Sequence, residues 1–483
     1  MTRPDGGTES RQSVVTKVRL RTGLLATVAG LCLAAGTGRS QYVEDSIDVG
    51  GSWVGSLVYN SREDVIYGES ESHGILFAIS CDDNSIIATH QLVGALELVY
   101  DSTDNKAWCS YDGPGQESLA VIDGSAHSVV KRIGMSGATI PVWDAASDRV
   151  YVSCQTTNCV AVLDARTDSL LTYIPVGACP MKMYINTLRR KLYVLNFDAG
   201  TVSIVNMATN QVIKTVAVGG TPNAGYYCRS VDKFYSAGPH DQCVVIGGLS
   251  DTIIARIPIP GTEDVLSATG NEQAGIVFTG MFAGNSGYIV AIDAGADSVM
   301  YTHDLGHTLA RGLLYSTESG QLYSANYENS VSVLTGDGAR VVKTITLGDG
   351  PFVLASAPPH RRLYVGSLGT SFVYVLRDTA ARVEEVGLPQ HRLGGSFSAV
   401  PNPFTGKVAI RVRDSVKGTS RPRDLSVCSN DGRVVRKLGL FWDETGGAGA
   451  TWDGRDLAGI PAPAGIYVLT TGSGECLKVV KDE

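Results

Sequence analysis

The chain has 483 residues, of which 56 are glycine and only 18% are charged. Its formal net charge of −8 argues against nucleic acid as a partner, because affinity for DNA or RNA depends on cations that neutralise phosphates. A chain of this length exceeds one ordinary core, so we expect several domains or an array of repeats.

The first 40 residues have the features of an export signal. Lys17, Arg19 and Arg21 stand directly before the apolar run at residues 23–36, and small residues follow it before Gln41. The run is too short to span a bilayer comfortably, and no later apolar segment is longer. We therefore predict a signal peptide over residues 1–40, cleaved between Ala35 and Gln41, and no transmembrane segment in the mature chain. The protein is then exported to the cell surface or the extracellular space, with the periplasm as the alternative.

An aromatic residue in a short hydrophobic strand recurs eight times after this signal. The eight positions lie 41 to 45 residues apart: Tyr67, Trp108, Tyr151, Tyr193, Tyr235, Phe278, Tyr323 and Tyr364. A basic residue stands two positions earlier in several copies, and a second strand follows each aromatic. The alternation of apolar and variable residues is typical of strands in a packed sheet. A unit of four short strands and about 42 residues has the size of one β-propeller blade.

The best-preserved copies, at residues 149–222, contain RVYVSCQTTNCVAVLD, KLYVLNFDAGTVSIVN and VAVGGTP. They resemble the YVTN family of β-propeller repeats, in which a blade reads KLYVxN and VxVID before a strand ending in VGxxP. The resemblance implies an all-β propeller over residues 41–386. Eight aromatic strands predict eight blades, and seven, the commoner number in the family, is the alternative.

The stretch at residues 46–60 aligns with the last strand of one blade and the first strand of the next. It can therefore close the ring by completing the final blade. In that case the last candidate strand of that blade, at residues 382–388, is displaced.

The repeat stops after Val386, and residues 387–398 predict a linker. Residues 399–483 contain apolar runs and a hairpin signal at residues 430–432, so we predict a small β-sandwich. The motifs PNPF (401–404), DGR (431–433), WDG (452–454) and GIY (465–467) resemble the immunoglobulin-like domains that act as sorting signals for type IX secretion. That resemblance implies that the domain engages the secretion machinery. The same pattern also resembles the sandwich domain of flagellar hook-capping proteins.

Cys154 and Cys159 are the one close pair of cysteines in the mature chain. They allow two interpretations, a disulfide across a hairpin or two small buried strand residues. The histidines at 303 and 307 flank a predicted strand and turn, where a four-residue spacing does not converge on a metal.

Acidic or amide residues recur at the end of one strand of the repeat: Asp123, Asp164, Asn206 and Asp293. Their repetition at equivalent blade positions indicates hydrogen bonding within turns.

Sequence motifs of common catalytic sites are absent. The chain contains neither a Gly-x-Ser-x-Gly nucleophile elbow nor a phosphate-binding Gly-Lys-Ser/Thr loop nor a His-Glu-x-x-His motif. We predict no catalytic, cofactor-binding or metal-binding residues, no cofactor, and a binding or display protein whose propeller engages a protein, a glycan or a small ligand. The alternative is a propeller enzyme, such as a lactonase or a quinone-dependent dehydrogenase, with its site at the central channel.

Any ligand is expected on the face formed by the loops that join the last strand of one blade to the innermost strand of the next. These loops surround the channel mouth and can present side chains from several blades to one molecule. Most positions there have small or aliphatic side chains. The predicted ligand face consists of the polar and aromatic exceptions: Trp53, Lys182, Asn223, Arg311 and Phe352.

Overall fold

The structure is a computed structural model that describes residues 41–379 and 397–481, apart from short gaps at residues 114–115, 239–240, 260, 262, 285, 307–308, 349, 401–404, 414–423, 430–433, 443–446, 457–458, 464 and 472–475. The chain divides into two units, Met1–Arg382 and Val383–Glu483. The predicted signal peptide lies outside the described residues, as do most of the predicted linker and the candidate strand at 382–388.

The first unit is an eight-bladed β-propeller, and each blade is a four-stranded antiparallel sheet. The strands of blades 1 to 4 are, in chain order, β2 (Leu57–Asn60), β3 (Val65–Ser70), β4 (Ile75–Ser80) and β5 (Ile86–Gln91); β6 (Ala95–Asp101), β7 (Lys106–Gly113), β8 (Gln116–Asp123) and β9 (Ser128–Gly134); β10 (Ala138–Asp144), β11 (Arg149–Cys154), β12 (Cys159–Asp164) and β13 (Ser169–Pro175); and β14 (Pro180–Asn186), β15 (Lys191–Asn196), β16 (Thr201–Asn206) and β17 (Gln211–Ala217).

The strands of blades 5 to 7 are β18 (Ala224–Cys228), β19 (Lys233–Gly238), β20 (Gln242–Gly247) and β21 (Ile253–Pro258); β22 (Asp264–Asn271), β23 (Ile276–Ala283), β24 (Ser286–Asp293) and β25 (Ser298–Asp304); and β26 (Ala310–Ser316), β27 (Gln321–Asn326), β28 (Ser330–Thr335) and β29 (Val341–Thr346). Blade 8 contains β30 (Pro351–Ala357), β31 (Arg362–Ser367), β32 (Phe372–Arg377) and, as its outer strand, β1 (Val43–Asp48). Short 3₁₀ turns occur at Glu71–His73, Arg229–Val231 and Pro358–His360.

The first strand of each blade is the innermost one. These eight strands pack side by side around the ring, and β2 contacts both β6 and β30, so the ring is closed. Closure uses the amino terminus, because β1 pairs antiparallel with β32 and places Ser46 opposite Tyr374. This confirms the prediction that residues 46–60 supply the last strand of one blade and the first of another. Eight blades, the first of the two predicted numbers, is confirmed.

The aromatic residue of the repeat fills the space between blades. All eight copies belong to the largest fully buried side chains of the protein. Tyr235 of blade 5, for example, packs with Val277 and Val290 of blade 6. Its hydroxyl donates to the carbonyl oxygen of Ala294 (3.1 Å) and to Oδ1 of Asp297 (2.8 Å) in the same neighbouring blade. The period of the sequence is therefore the spacing of one buried aromatic per blade junction.

The basic residue two positions before the aromatic joins neighbouring blades. We call this contact the inter-blade clamp. An ammonium group of one blade bonds an aspartate in the outer turn of the next blade at three junctions: Lys106–Asp168 (2.6 Å), Lys191–Asp251 (2.6 Å) and Lys233–Asp297 (2.8 Å). At each of them the same ammonium also donates to a backbone carbonyl oxygen of that turn, at 2.8 Å. The clamp thus ties neighbouring blades together at these three junctions.

The recurring acidic and amide residues at the strand ends shape the outer turns. Oδ1 of Asp123 accepts from the amides of Ser125 (2.9 Å) and Ala126 (2.7 Å). Asp164, Asn206 and Asp293 accept from turn amides in the same way. This confirms the prediction of turn hydrogen bonding. In blade 3 the turn shaped by Asp164 holds Asp168 at a φ of 52°, where it serves as an acceptor of the clamp.

Cys154 and Cys159 are direct partners in the register of β11 and β12. Both side chains are buried, and the structure has thiols at both positions. Of the two predicted interpretations, it shows the pair of buried strand residues.

The second unit contains two four-stranded antiparallel sheets. Their strands are β33 (Phe397–Val400), β34 (Val408–Arg413), β35 (Asp424–Ser429), β36 (Val434–Gly439), β37 (Phe441–Trp442), β38 (Gly447–Trp452), β39 (Gly465–Thr471) and β40 (Cys476–Lys481), in the orders β33-β34-β38-β37 and β36-β35-β39-β40. Both sheets contribute to one core, in which the ring of Trp452 meets that of Tyr467 edge-on at 4.8 Å. Within the described ranges of both units, no helix is long and apolar enough to cross a membrane.

Candidate functional site

Charged side chains from several blades converge in the central channel that the eight inner strands enclose. Lys182 of β14, in blade 4, donates through Nζ to the carbonyl oxygen of Leu266 in blade 6, two blades away, at 3.1 Å. Glu97 of blade 2 and Asp264 of blade 6 attract the ammonium, and Arg311 of blade 7 repels it. Blades on opposite sides of the ring therefore contribute to one electrostatic site.

The channel perturbs the proton affinities of both charged partners. The surrounding protein desolvates the Lys182 ammonium and lowers its pKa, although Glu97 and Asp264 oppose this change. Desolvation raises the pKa of Glu97, against the attraction of Lys182. Shifted groups of opposite sign in one cleft are a recognised property of functional sites.

Arg311 lies near the start of β26, close to the face that the blade-to-blade connections form. Its guanidinium carbon stands 5.4 Å from the ring centroid of Tyr327 and 5.9 Å from that of Phe352. Such contacts hold a guanidinium by its flat faces and leave its N–H edge for planar acceptors. The Nε group is buried and finds no hydrogen-bond acceptor within the described part of the chain. The geometry therefore presents an oriented cation with an unused donor.

A second carboxyl group lies beside this channel. Glu69, on β3, is 1% exposed, and its Oε1 accepts from the amide of Gly55 at 2.9 Å. Its Oε2 is buried without a hydrogen-bond partner among the described residues. Burial, with smaller contributions from the charges of Glu97 and Glu71, raises the pKa of Glu69 to about 9. Glu69 is therefore protonated at neutral pH.

The structure brings together part of the predicted ligand face. Arg311 and Phe352 are in contact, and Lys182 lies within electrostatic reach of Arg311. Trp53 and Asn223 lie on other blade-to-blade connections. Trp53 is 52% exposed at a φ of 65°, and Asn223 is half-buried with its amide bonded to Ala237.

Glu97, Glu69, Asp264 and Tyr327 belong to this region but are not among the predicted residues. Glu97 could have been identified from the sequence, because a charged residue inside the apolar inner strand ALELVYD is unusual. Asp264 opens an inner strand and has no comparable signal in the sequence.

One of the two histidines singled out in the sequence lies among the described residues. His303 lies on the outer strand β25 opposite Ile289, and His307 lies outside the described residues.

On the opposite face of the ring, a cavity of about 720 Å³ lies between the turns of blades 4 to 6, and Tyr227, Arg229 and Glu272 contribute to its lining. The Glu272 carboxylate already accepts from the amides of Arg229 (2.9 Å) and Ser230 (3.0 Å). It therefore has less unused hydrogen-bonding capacity for a ligand than Arg311 has.

Comparisons with known proteins identify the fold class. No family model matches the chain, and no curated protein matches it. Among solved structures, the chain is similar to the dihydro-heme d1 dehydrogenase NirN in complex with DHE, with a TM-score of 0.53 and 11% identity over 62% of this chain and 67% of that one. At this identity the likeness shows the fold alone. The protein is therefore an all-β protein with an eight-bladed propeller.

The raised pKa of Glu69 predicts a pH-dependent stability. The folded state keeps a proton on this carboxyl up to a pH of about 9, whereas the unfolded chain releases it near the ordinary value of 4.5. The free energy of unfolding therefore falls as the pH rises through this window. Gln in Glu69→Gln retains the acceptor for Gly55 and cannot ionise. We expect this variant to exceed the wild type at pH 8 by at least about 1 kcal/mol, and the gain to shrink towards pH 5.

Thermal unfolding of both proteins at pH 5 and pH 8 measures this effect. Glu71→Gln, at an exposed position two residues away, is the control; it removes one of the smaller charges that act on Glu69 and should give much less than the gain of Glu69→Gln. A variant at position 69 that is no more stable than the wild type at pH 8 would show that Glu69 is ionised in the folded protein.

Proposed function

We propose that this chain is an exported binding protein that holds the anionic group of a small organic ligand at the Arg311 end of the propeller channel. The observation that carries the proposal is the guanidinium of Arg311, packed against Tyr327 and Phe352 and without a carboxylate partner among the described residues. A guanidinium matches the geometry of a carboxylate because it offers two parallel N–H donors. The ligand class that fits is therefore a carboxylate or a similar planar oxyanion with an apolar body.

The neighbouring charges support this assignment. Lys182 is engaged by the Leu266 carbonyl oxygen and attracted by Glu97 and Asp264, so its charge is compensated within the channel. Arg311 is the cation whose donor Nε is unused. Phe352 and Tyr327 add apolar area beside it, as is typical of small-ligand sites.

The repeats support a YVTN-type assignment for the propeller on the motifs at residues 149–222. The neighbour NirN is described in complex with DHE. Its ligand is not carried over to this chain, since the two share 11% identity.

An enzyme acting at the channel is the second candidate. The observation that favours it is the pairing of Glu97, whose pKa is raised, with Lys182, whose pKa is lowered. A carboxyl group and an amine whose pKa values shift towards each other are candidates for proton transfer. Recovery of a bound ligand unchanged after prolonged incubation would favour binding, and its conversion would favour catalysis.

The binding proposal is tested by isothermal titration calorimetry with benzoate and citrate as carboxylate probes and benzamide as a neutral analogue. We expect at least one carboxylate to bind and benzamide to bind more weakly. Arg311→Met and Phe352→Ala should each weaken that carboxylate by more than about 1 kcal/mol, and Arg311→Lys should restore only part of the loss. Arg132→Met, an exposed arginine on β9, is the matched control. Failure of both carboxylates to bind, or wild-type affinity in both test variants, would contradict a site at Arg311.

The second unit is proposed to serve sorting or attachment through an immunoglobulin-like domain, on the motifs of residues 399–483. Because β1 rather than a carboxy-terminal segment completes blade 8, removal of residues 399–483 should leave the propeller folded. We expect this truncated chain to unfold cooperatively but to be lost from the cell surface, as measured by circular dichroism and by protease accessibility on whole cells. Unchanged surface display would instead make the unit a spacer or a second binding module.

A further inference from the structure

Three aspartates meet at the junction between blades 2 and 3, on the face opposite to Arg311. Asp101 ends the inner strand β6, Asp104 lies in the turn that follows it, and Asp148 lies in the corresponding turn of blade 3. One carboxylate oxygen of each lies within 4.8 Å of the others. This cluster is separate from the channel residues described above.

Two oxygens of the cluster are buried and unsatisfied. Asp101 is 0% exposed, and its Oδ1 accepts from the amides of Thr103 (2.8 Å) and Asp104 (3.1 Å). Oδ2 of Asp101 and Oδ2 of Asp104 are both buried without a hydrogen-bond partner in the described part of the protein. A buried carboxylate oxygen without a donor or a cation is costly. Burial raises the pKa of Asp101, and the charges of Asp148 and Asp104 add to the rise.

Equivalent junctions of the ring contain a donor at this place. In three of them the residue that ends the inner strand and the residue that ends the next blade's turn share a hydrogen bond: Asn60 Nδ2 to Asn105 Oδ1 (3.1 Å), Arg190 Nη1 to Asp144 Oδ1 (2.6 Å) and Asn186 Nδ2 to Asp232 Oδ1 (3.3 Å). At the junction of blades 2 and 3, one acid faces another. The repeat therefore supplies acceptors at this junction where three of its other copies supply a donor.

The remaining polar groups near the cluster do not neutralise it. Arg166 approaches Asp148 at 3.4 Å, but its side chain is 71% exposed, so the pair is screened by water. Trp143 Nε1 donates to Oδ1 of Asp148 at 3.5 Å and brings no charge. A second acidic group at Asp64 and Asp82 differs, because Asp64 accepts from Tyr59 (2.7 Å) and from His360.

We propose that Asp101, Asp104 and Asp148 bind a calcium ion that joins blade 2 to blade 3. All candidate ligands are carboxylate oxygens, which hard divalent cations prefer. Calcium bonds of about 2.3–2.6 Å place ligand oxygens up to about 5 Å apart, and calcium tolerates irregular coordination completed by water or carbonyl oxygens. Magnesium requires a tighter octahedron with bonds of about 2.0–2.1 Å, to which a shared inter-blade site is less suited. The ion takes the place that a side-chain donor occupies at the three junctions described above.

The proposal is tested on the full chain after removal of metals with EDTA. Calcium titration by calorimetry should reveal one ion per chain, and terbium luminescence sensitised by Trp143 should report the same site. Calcium should raise the unfolding temperature of the wild type more than magnesium does at equal concentration. Asp101→Asn and Asp148→Asn should each weaken calcium binding by at least about tenfold.

Asp101→Asn also tests, in the absence of calcium, whether a side-chain donor can take the place of the ion. An asparagine at this position can keep the Oδ1 acceptor and donate to Asp148, as Asn60 donates to Asn105. The variant should therefore fold, be at least as stable as the metal-free wild type, and no longer respond to calcium. Asp293→Asn changes a turn aspartate of blade 6 that also accepts from turn amides, and it is the matched control that should retain calcium binding.

Three results would overturn the assignment. They are no calcium binding by the wild type up to about 10 mM, calcium affinity unchanged in both Asp101→Asn and Asp148→Asn, and equal stabilisation by magnesium.

Discussion

The ring depends on contacts that cross from one blade to the next, and the inter-blade clamp is the most specific of them. A blade is a four-stranded sheet that cannot bury both of its faces alone, so its apolar residues need a neighbour on each side. Hydrophobic packing provides most of that attraction but permits sliding, because it is non-directional. The clamp adds direction. Lys233 binds both the carbonyl oxygen of Ala294 and the carboxylate of Asp297, and Tyr235 bonds the same two residues.

The positions of the blades determine the positions of the charged side chains in the central channel. Lys182 reaches a carbonyl oxygen two blades away, and this contact exists only if the number of blades and their angles are held. The same applies to the attraction between Lys182 and Glu97. The charged channel is therefore a property of the closed ring. The geometry of the site at the axis therefore depends on the clamp contacts between blades.

The sequence predicted the ring well because its period has one physical cause. Each junction buries one large aromatic, so Tyr151 and its counterparts repeat at the spacing of the blades. Closure by residues 46–60 was predictable because β1 retains the pattern of an outer strand. Arg311 and Phe352 were predictable as neighbours of the channel mouth, since they hold the same register position in adjacent blades.

Contacts between non-adjacent blades were beyond the reach of the repeat pattern. The pattern aligns Glu97 with Lys182 but does not say that the two interact from blades 2 and 4. The cluster at Asp101 was likewise not predictable from the repeat, because it forms only where aspartates of two successive blades meet. Each aspartate alone is an ordinary turn residue, and only their convergence is unusual.

A double-mutant cycle on the clamp between blades 5 and 6 measures directly whether the clamp holds neighbouring blades in place. The free energies of urea unfolding are measured for the wild type, Lys233→Met, Asp297→Asn and the double variant. We expect a coupling energy above about 1 kcal/mol, since the two side chains are in contact at 2.8 Å and are mostly buried. Lys233→Met combined with Asp168→Asn, which belongs to a different clamp, should be additive within about 0.5 kcal/mol. Equal additivity for both pairs would contradict the claim that the clamp holds neighbouring blades in place.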